Sequence, residues 1–354
     1  MLNLDDISTY SEIDAQDMRE KIRELPQQCA DAWAQVSDVD LPDAYRSARS
    51  VVVVGMGGSA IGGALVGALV AQEAAVPILS VGGYGLPAYV GADTLVIASS
   101  YSGNTEETLT LTRQAMEQGA HVLPVTTGGE LGALAKQNGW PTITFAYPSQ
   151  PRAALGYSFT LLLGALCHAG LLRDYEGDLD EAVAVMRDRQ RELVPEVGTD
   201  DNPAKRLAWH LVERMPVIYG AGFLAPVARR WKGQFNENAK NWAMWETLPE
   251  LNHNSVVGYG RPDGIRDRIV VICLRSSLDH QRIEARWAAT QDLLDGEDIR
   301  VETVWAQGES RLAQMLSLIH FGDYVSYYLS LLNRVDPTPV GPIDRLKERL
   351  AELE

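Results

Sequence analysis

The 354 residues include three cysteines, Cys29, Cys167 and Cys273. They are too few and too scattered for a disulfide framework or a thiolate metal site, so they point to a reducing compartment. Histidine is also sparse, at six residues, and no H-x-H or H-x-x-x-H spacing occurs, which leaves a histidine-built metal centre without support. Cations are in deficit: 31 Lys plus Arg against 47 Asp plus Glu, a formal net charge of −16. That balance repels nucleic acid and anionic lipid, and it would repel an anionic metabolite unless a shielded site received it. The first residues lack the basic and apolar regions of a secretory signal. One stretch, 153–172, has no Asp, Glu, Lys or Arg. It contains Gly156, Ser158, Thr160 and His168, and reads as a buried helix rather than a membrane span. The expectation is a cytoplasmic chain with no nucleic acid or membrane partner.

What is present is an ordinary globular balance, 46% hydrophobic and 22% charged. At about 150 residues per domain the length suggests two domains. Val51–Val54 is a continuous β-branched run ending at Gly55, the pattern of a buried parallel strand. A small-residue helix follows over 60–71. Strands are expected at 78–81, 94–99, 122–126 and 142–145, with helices at 106–118 and 130–137. The plan recurs after the polar, proline-broken first 48 residues have been left behind. A strand at 216–219 runs into Gly220-Ala-Gly222 and a helix near Pro226, with strands at 269–274 and 299–305 and helices at 281–294, 311–332 and 343–354. Alternating strands and helices predict an α/β fold of two doubly wound parallel sheets. The division is placed as 1–150 and 151–354, with the uncharged helix near the boundary and available to pack between the halves.

Gly55-Met-Gly57-Gly58-Ser59-Ala60 fits a dinucleotide turn superficially, but that reading needs a carboxylate at the end of the next strand. Ser80-Val-Gly82-Gly83 stands there instead. Ser99-Ser100-Tyr101-Ser102-Gly103-Asn104-Thr105 suits a different ligand. Hydroxyls at 100, 102 and 105, with the free N–H groups of a helix's first turn, make a neutral cradle for a phosphate dianion. The bland alternative, Thr105 as an N-cap, explains one hydroxyl and leaves the serines unexplained.

Gly57-Gly58-Ser59 followed by Ser100-x-Ser102-Gly-Asn-Thr105-Glu-Glu-Thr resembles the sugar isomerase (SIS) domain. With Asn236-Glu237-Asn238 upstream of Asn252-His253-Asn254, nearly the whole chain resembles the bifunctional phosphoglucose/phosphomannose isomerases. The resemblance implies tandem doubly wound parallel-sheet SIS domains, flavodoxin-like three-layer sandwiches. It also implies a metal-independent, cofactor-free aldose–ketose isomerase acting on hexose 6-phosphates. Gly57, Gly58, Ser59, Ser100, Ser102 and Thr105 would then bind the phosphate end of the substrate. Glu237 would move the carbon-bound proton, and Trp231, Trp242 and Trp245 suggest a dry setting that suits a base. His253 would open the sugar ring in the partner subunit's site, which makes the chain a homodimer. Arg152 would face the enediolate, Lys347 would enter the pocket and Thr338 would leave room for both C2 epimers. Simpler readings compete at each position: Glu237 paired with Lys240, Arg152 on the surface, and Lys347 paired with Asp344. Rival functions are a non-catalytic sugar-phosphate-binding regulator and an isomerase of another sugar phosphate. A DNA-binding regulator is disfavoured because Asp5, Asp6, Glu12, Asp14 and Asp17 precede the first basic residue, Arg19.

Overall fold

The computed structural model describes residues 3–36 and 39–352. Helices of eight residues or more are numbered here. Helix α1 (Leu25–Val36) precedes strand β1 (Ser50–Val54), α2 (Gly57–Val70), β2 (Ile78–Val81) and β3 (Thr94–Ser100). Next come α3 (Glu106–Glu117), β4 (His121–Thr126), α4 (Gly129–Asn138), the two-residue β5 (Ile143–Thr144) and α5 (Leu155–His168). The second half opens with α6 (Glu176–Leu193) and α7 (Pro203–His210), then β6 (Met215–Ala221), α8 (Ala225–Glu237) and β7 (Met244–Leu248). It closes with β8 (Ile269–Arg275), α9 (Gln281–Gly296), β9 (Val301–Trp305), α10 (Arg311–Leu332) and α11 (Gly341–Ala351).

Two parallel sheets result, in the orders β2-β1-β3-β4-β5 and β7-β6-β8-β9. Both are doubly wound, and each reverses direction beside its first strand, where ligands bind in such folds. Val51–Val54 are buried because helices cover both sheet faces, which explains their unbroken apolar run. The uncharged helix α5 is buried along almost its whole length and packs on α1 and α2, within the first half. The two halves meet instead where α2 touches α8, and around α10, which is buried from Leu312 to Leu332.

The strands and helices expected from the sequence are present with end shifts of a few residues. Pro26, expected to break a helix, sits in the first turn of α1, where its missing N–H costs nothing. Strand β7 and helices α6 and α7 were not anticipated. The last helix runs from Gly341 to Ala351, and the final two residues of its expected span, 353 and 354, lie outside the described residues. No described helix is long and apolar enough to cross a membrane.

Candidate active site

The reversal point of the first sheet brings the glycine turn after β1 beside the serine loop after β3. Tyr101 N donates to Ser59 Oγ at 3.1 Å, joining the two loops. Asn104 N donates to Ser102 Oγ at 3.2 Å, and Ser100 Oγ donates to Thr105 Oγ1 at 3.1 Å. Ser59, Ser102 and Thr105 thus accept bonds from the protein and keep their own hydroxyl hydrogens to offer outward. An anion needs that polarity. Ser100 spends its hydrogen on Thr105, so it orients that hydroxyl. Thr105 stands at the N-cap position of α3, but its side chain caps no backbone N–H, which removes the simpler reading. Gly103 has φ +70°, and a Cβ there would lie 1.9 Å from the carbonyl oxygen of Gly128, so only glycine closes this loop.

Gly58 serves the other end of the site. A Cβ at this position would lie 2.9 Å from the Pro151 carbonyl carbon and 3.0 Å from Arg152 N. Its absence lets the start of α2 lie against the segment that presents Arg152. That segment is braced elsewhere: Gln28 Nε2 donates to Ala153 O at 2.9 Å, and Ser149 N donates to Tyr101 Oη at 2.9 Å.

Arg152 is not on the surface; its side chain is 4% exposed. Its guanidinium reaches into the second half, donating to Asn238 Oδ1 at 2.7 Å, Pro337 O at 2.6 Å, Thr338 O at 2.9 Å and Glu237 Oε2 at 3.3 Å. Burial pushes its pKa below the usual arginine value, with the Glu237 carboxylate opposing. Glu237, the last residue of α8, therefore pairs with Arg152 rather than with Lys240. The Lys240 ammonium donates instead to the backbone oxygens of Glu237 and Pro337. Burial, then Arg152, pushes the Lys240 pKa down to about 8.

Helix α8 carries two polar stripes at helical spacing. Arg230, Gln234 and Asn238 face α10. Arg230 forms a buried two-armed ion pair with Asp323 at 2.5 and 3.0 Å, Gln234 donates to Asp323 at 2.8 Å, and Asn238 donates to Ser326 at 3.0 Å. The second stripe, Arg229, Gly233 and Glu237, faces a cavity of about 190 Å³ that also meets Gly57, Gly58 and Arg152.

The dry tryptophan setting expected around Glu237 is not what forms. Trp231 is buried against Leu318 O, Trp242 is 74% exposed, and only Trp245 reaches the cavity rim. Thr338 lies beside Arg152 through its backbone, and its buried Oγ1 has no hydrogen-bond partner. The structure does not bring His253 or Lys347 into this chain's cavity. His253 is exposed on the loop after β7, and Lys347 is exposed on α11, with no ion pair to Asp344. Sequence reasoning missed Gln28, Arg230 and Asp323, named Asn238 only within a motif, and had Lys240 as a side-chain partner of Glu237 rather than of its backbone. The i, i+4, i+8 spacing of Arg230, Gln234 and Asn238 was the available signal.

The second sheet's reversal point is closed by its own side chains. Ser276 Oγ donates to Gln314 Oε1 at 2.6 Å, and Gln314 Nε2 donates to Ser277 Oγ at 2.7 Å. Among the described residues at the two reversal points, those of the first sheet keep hydroxyls open.

The folds of both halves and the serine loop define a tandem SIS-domain protein. The SIS domain profile matches residues 44–169, and that of the bacterial phospho-glucose isomerase C-terminal SIS domain matches residues 200–350. A solved structure of the C-terminal domain of glucosamine-fructose-6-phosphate aminotransferase from Francisella tularensis superposes with TM-score 0.70 at 14% identity. It covers 96% of this chain and 100% of that one, a likeness of fold. The chain belongs to the bifunctional phosphoglucose/phosphomannose isomerase family. It is 42% identical over 95% of its length to the whole of the enzyme of that name from Caldicellulosiruptor bescii. It is 35% identical to the Aquifex aeolicus enzyme, over 85% of this chain and 90% of the relative.

Proposed function

We propose that this isomerase interconverts fructose 6-phosphate with glucose 6-phosphate and with mannose 6-phosphate, through a cis-enediolate and without a metal or cofactor. The observation that carries the reading is the Glu237–Arg152 pair, held on a cavity that also meets the glycine turn of the phosphate-binding half. Ser59, Ser102 and Thr105 donate hydroxyl hydrogens to the phosphate, Ser100 orients Thr105, and Gly57 and Gly58 supply first-turn N–H groups. The first half thus provides the phosphate end and the second the reacting end, with Arg152 reaching across the seam. Glu237 takes the proton from C1 or C2 and returns it to the other carbon. The Arg152 guanidinium stabilises the oxyanion that develops between them. A proton returned to either face of C2 yields glucose or mannose stereochemistry, and Thr338, whose backbone oxygen accepts from Arg152, leaves room for both epimers.

His253 opens the sugar ring in the partner subunit's cavity, and the working unit is a cytoplasmic homodimer. Two features support this. His253 stands exposed outside its own chain's cavity, and α11 carries an uncovered apolar stripe of Ile343, Leu346 and Leu350 on the helix that bears Lys347. Dimer formation would bring Lys347 to a cavity. The test is Glu237→Gln assayed with fructose 6-phosphate for both aldose products. Turnover should fall by at least about 10³-fold while substrate still binds. Wild-type turnover in that variant would refute the assignment.

A further inference from the structure

The chain's net charge is −16, yet Arg152, Arg229, Arg230 and Lys232 line the cavity, with Glu237 as the single lining carboxylate. Two of the four cations are accounted for: Arg152 by Glu237 and three neutral acceptors, and Arg230 by Asp323. Arg229 and Lys232 have no ion pair or hydrogen bond to any described side chain, although the sequence holds 47 carboxylates. They lie one turn apart on α8, so they repel each other and the cations beneath them. At 1.5 Å rise per residue Arg229 stands about 12 Å and Lys232 about 7.5 Å along the helix from Glu237. Gly233, between them and Glu237, leaves open space in front of the helix. An arrangement of unpaired like charges on a cavity wall is relieved by an anion in the cavity. The serine cradle is neutral and acts only at contact, so it cannot offset the field of the whole chain.

We propose that Arg229 and Lys232 form a second anion-binding element, which draws the dianionic phosphorylated substrate in past Trp245 and hands it to the neutral cradle. This rests on the sugar-phosphate reading of the cavity. Two cations about 7 Å from a dianion in water favour it about 50-fold without salt. Screening reduces this to about 20-fold near 20 mM ionic strength and about twofold near 500 mM.

The test is kcat/KM for fructose 6-phosphate across that range of ionic strength, in the wild type and in the double variant Arg229→Gln, Lys232→Gln. A second double variant, Lys136→Gln with Arg191→Gln, makes the same change of net charge at exposed positions that do not line the cavity. The cavity variant should lose about 20-fold at low salt, carried by KM, and converge on the wild type at high salt. The remote variant should follow the wild type throughout. A cavity variant with the wild-type salt dependence overturns the inference, as does a deficit that high salt leaves unchanged. A wild-type chain inactive on fructose 6-phosphate would instead refute the sugar-phosphate reading. Titration with inorganic phosphate then tests the cation pair alone: weaker binding in the cavity variant supports it, and equal binding overturns it.

Discussion

Replacing Gly58 by alanine tests the claim that a glycine of the phosphate turn sets the position of the reacting end. The added methyl carbon would sit 2.9 Å from the Pro151 carbonyl carbon and 3.0 Å from both Arg152 N and Pro151 O, where 3.4–4 Å is ordinary contact. About 0.5 Å of backbone movement is needed, and neither side yields easily in a close-packed interior. Helix α2 is anchored on β1, and the 149–153 segment is held by Tyr101 and Gln28. The displacement passes to a guanidinium whose bonds to Asn238, Pro337 and Thr338 are 2.6–2.9 Å long. Hydrogen bonds to a charged group contribute about 1.5–3 kcal/mol each. Weakening one or two of them costs about 2–3 kcal/mol of transition-state stabilisation, or about 30- to 150-fold in kcat. Overpacking also costs about 1–3 kcal/mol of stability, seen as a fall of a few degrees or more in Tm. The assays are steady-state isomerisation of fructose 6-phosphate and thermal unfolding. Gly132→Ala is the control, on α4, where an added Cβ meets nothing within 4 Å. A Gly58→Ala enzyme with lowered Tm but undiminished kcat would refute the coupling to Arg152.

Gly233→Ala should show the opposite signature. Nothing lies within 4 Å of the added Cβ, so the helix gains about 0.5–1 kcal/mol and Tm rises by a few degrees. The methyl group intrudes on the cavity, so KM should rise; an unchanged KM would show that substrate does not approach this face of α8. Lys240 ties the carbonyls of Glu237 and Pro337 through an ammonium whose pKa is pushed down to about 8. Deprotonation loosens that tie, so kcat should decline above about pH 8, and in Lys240→Arg the decline should move well upward. A profile identical in both enzymes would exclude Lys240 as its source. His320 is buried, its Nε2 bonds to Ile22 O at 3.1 Å, and burial pulls its pKa down to about 3. The unfolded chain binds this proton first, so the full contribution is present above about pH 6.5. It should be lost toward pH 3 at about 1.4 kcal/mol per pH unit. Urea midpoints from pH 7 to 4 should fall less steeply in His320→Gln than in the wild type; equal slopes would sink the assignment.

Much of the fold was legible because parallel strands covered on both faces leave dense β-branched runs, as in Val51–Val54 and Ile269–Leu274. Strand β7 was not, since Met244 and Trp245 are exposed at a sheet edge and Glu246 is half-buried, which leaves neither a run nor an alternation. The serine loop was legible because hydroxyls clustered before a helix have few other uses. The polar seam was hidden for a physical reason. Arg230, Gln234 and Asn238 look in sequence like the solvated face of a helix, and only Asp323 and Ser326, 88 to 93 residues away, make that face an interior one. Arg152 was found through a motif, but its four partners come from two segments a hundred residues apart, 237–238 and 337–338, and carry no local pattern.

The reach of Arg152 from the first half into the second also constrains evolution. The same guanidinium proposed to steady the reaction rivets the two halves together, so they cannot hinge apart to exchange ligand while that rivet holds. On the proposed reading of the cavity, substrate and product then pass through its mouth. Adaptation of this enzyme to a bulkier sugar would then have to proceed by widening the rim around Trp245 and Gly233, because loosening the joint would dismantle the catalyst.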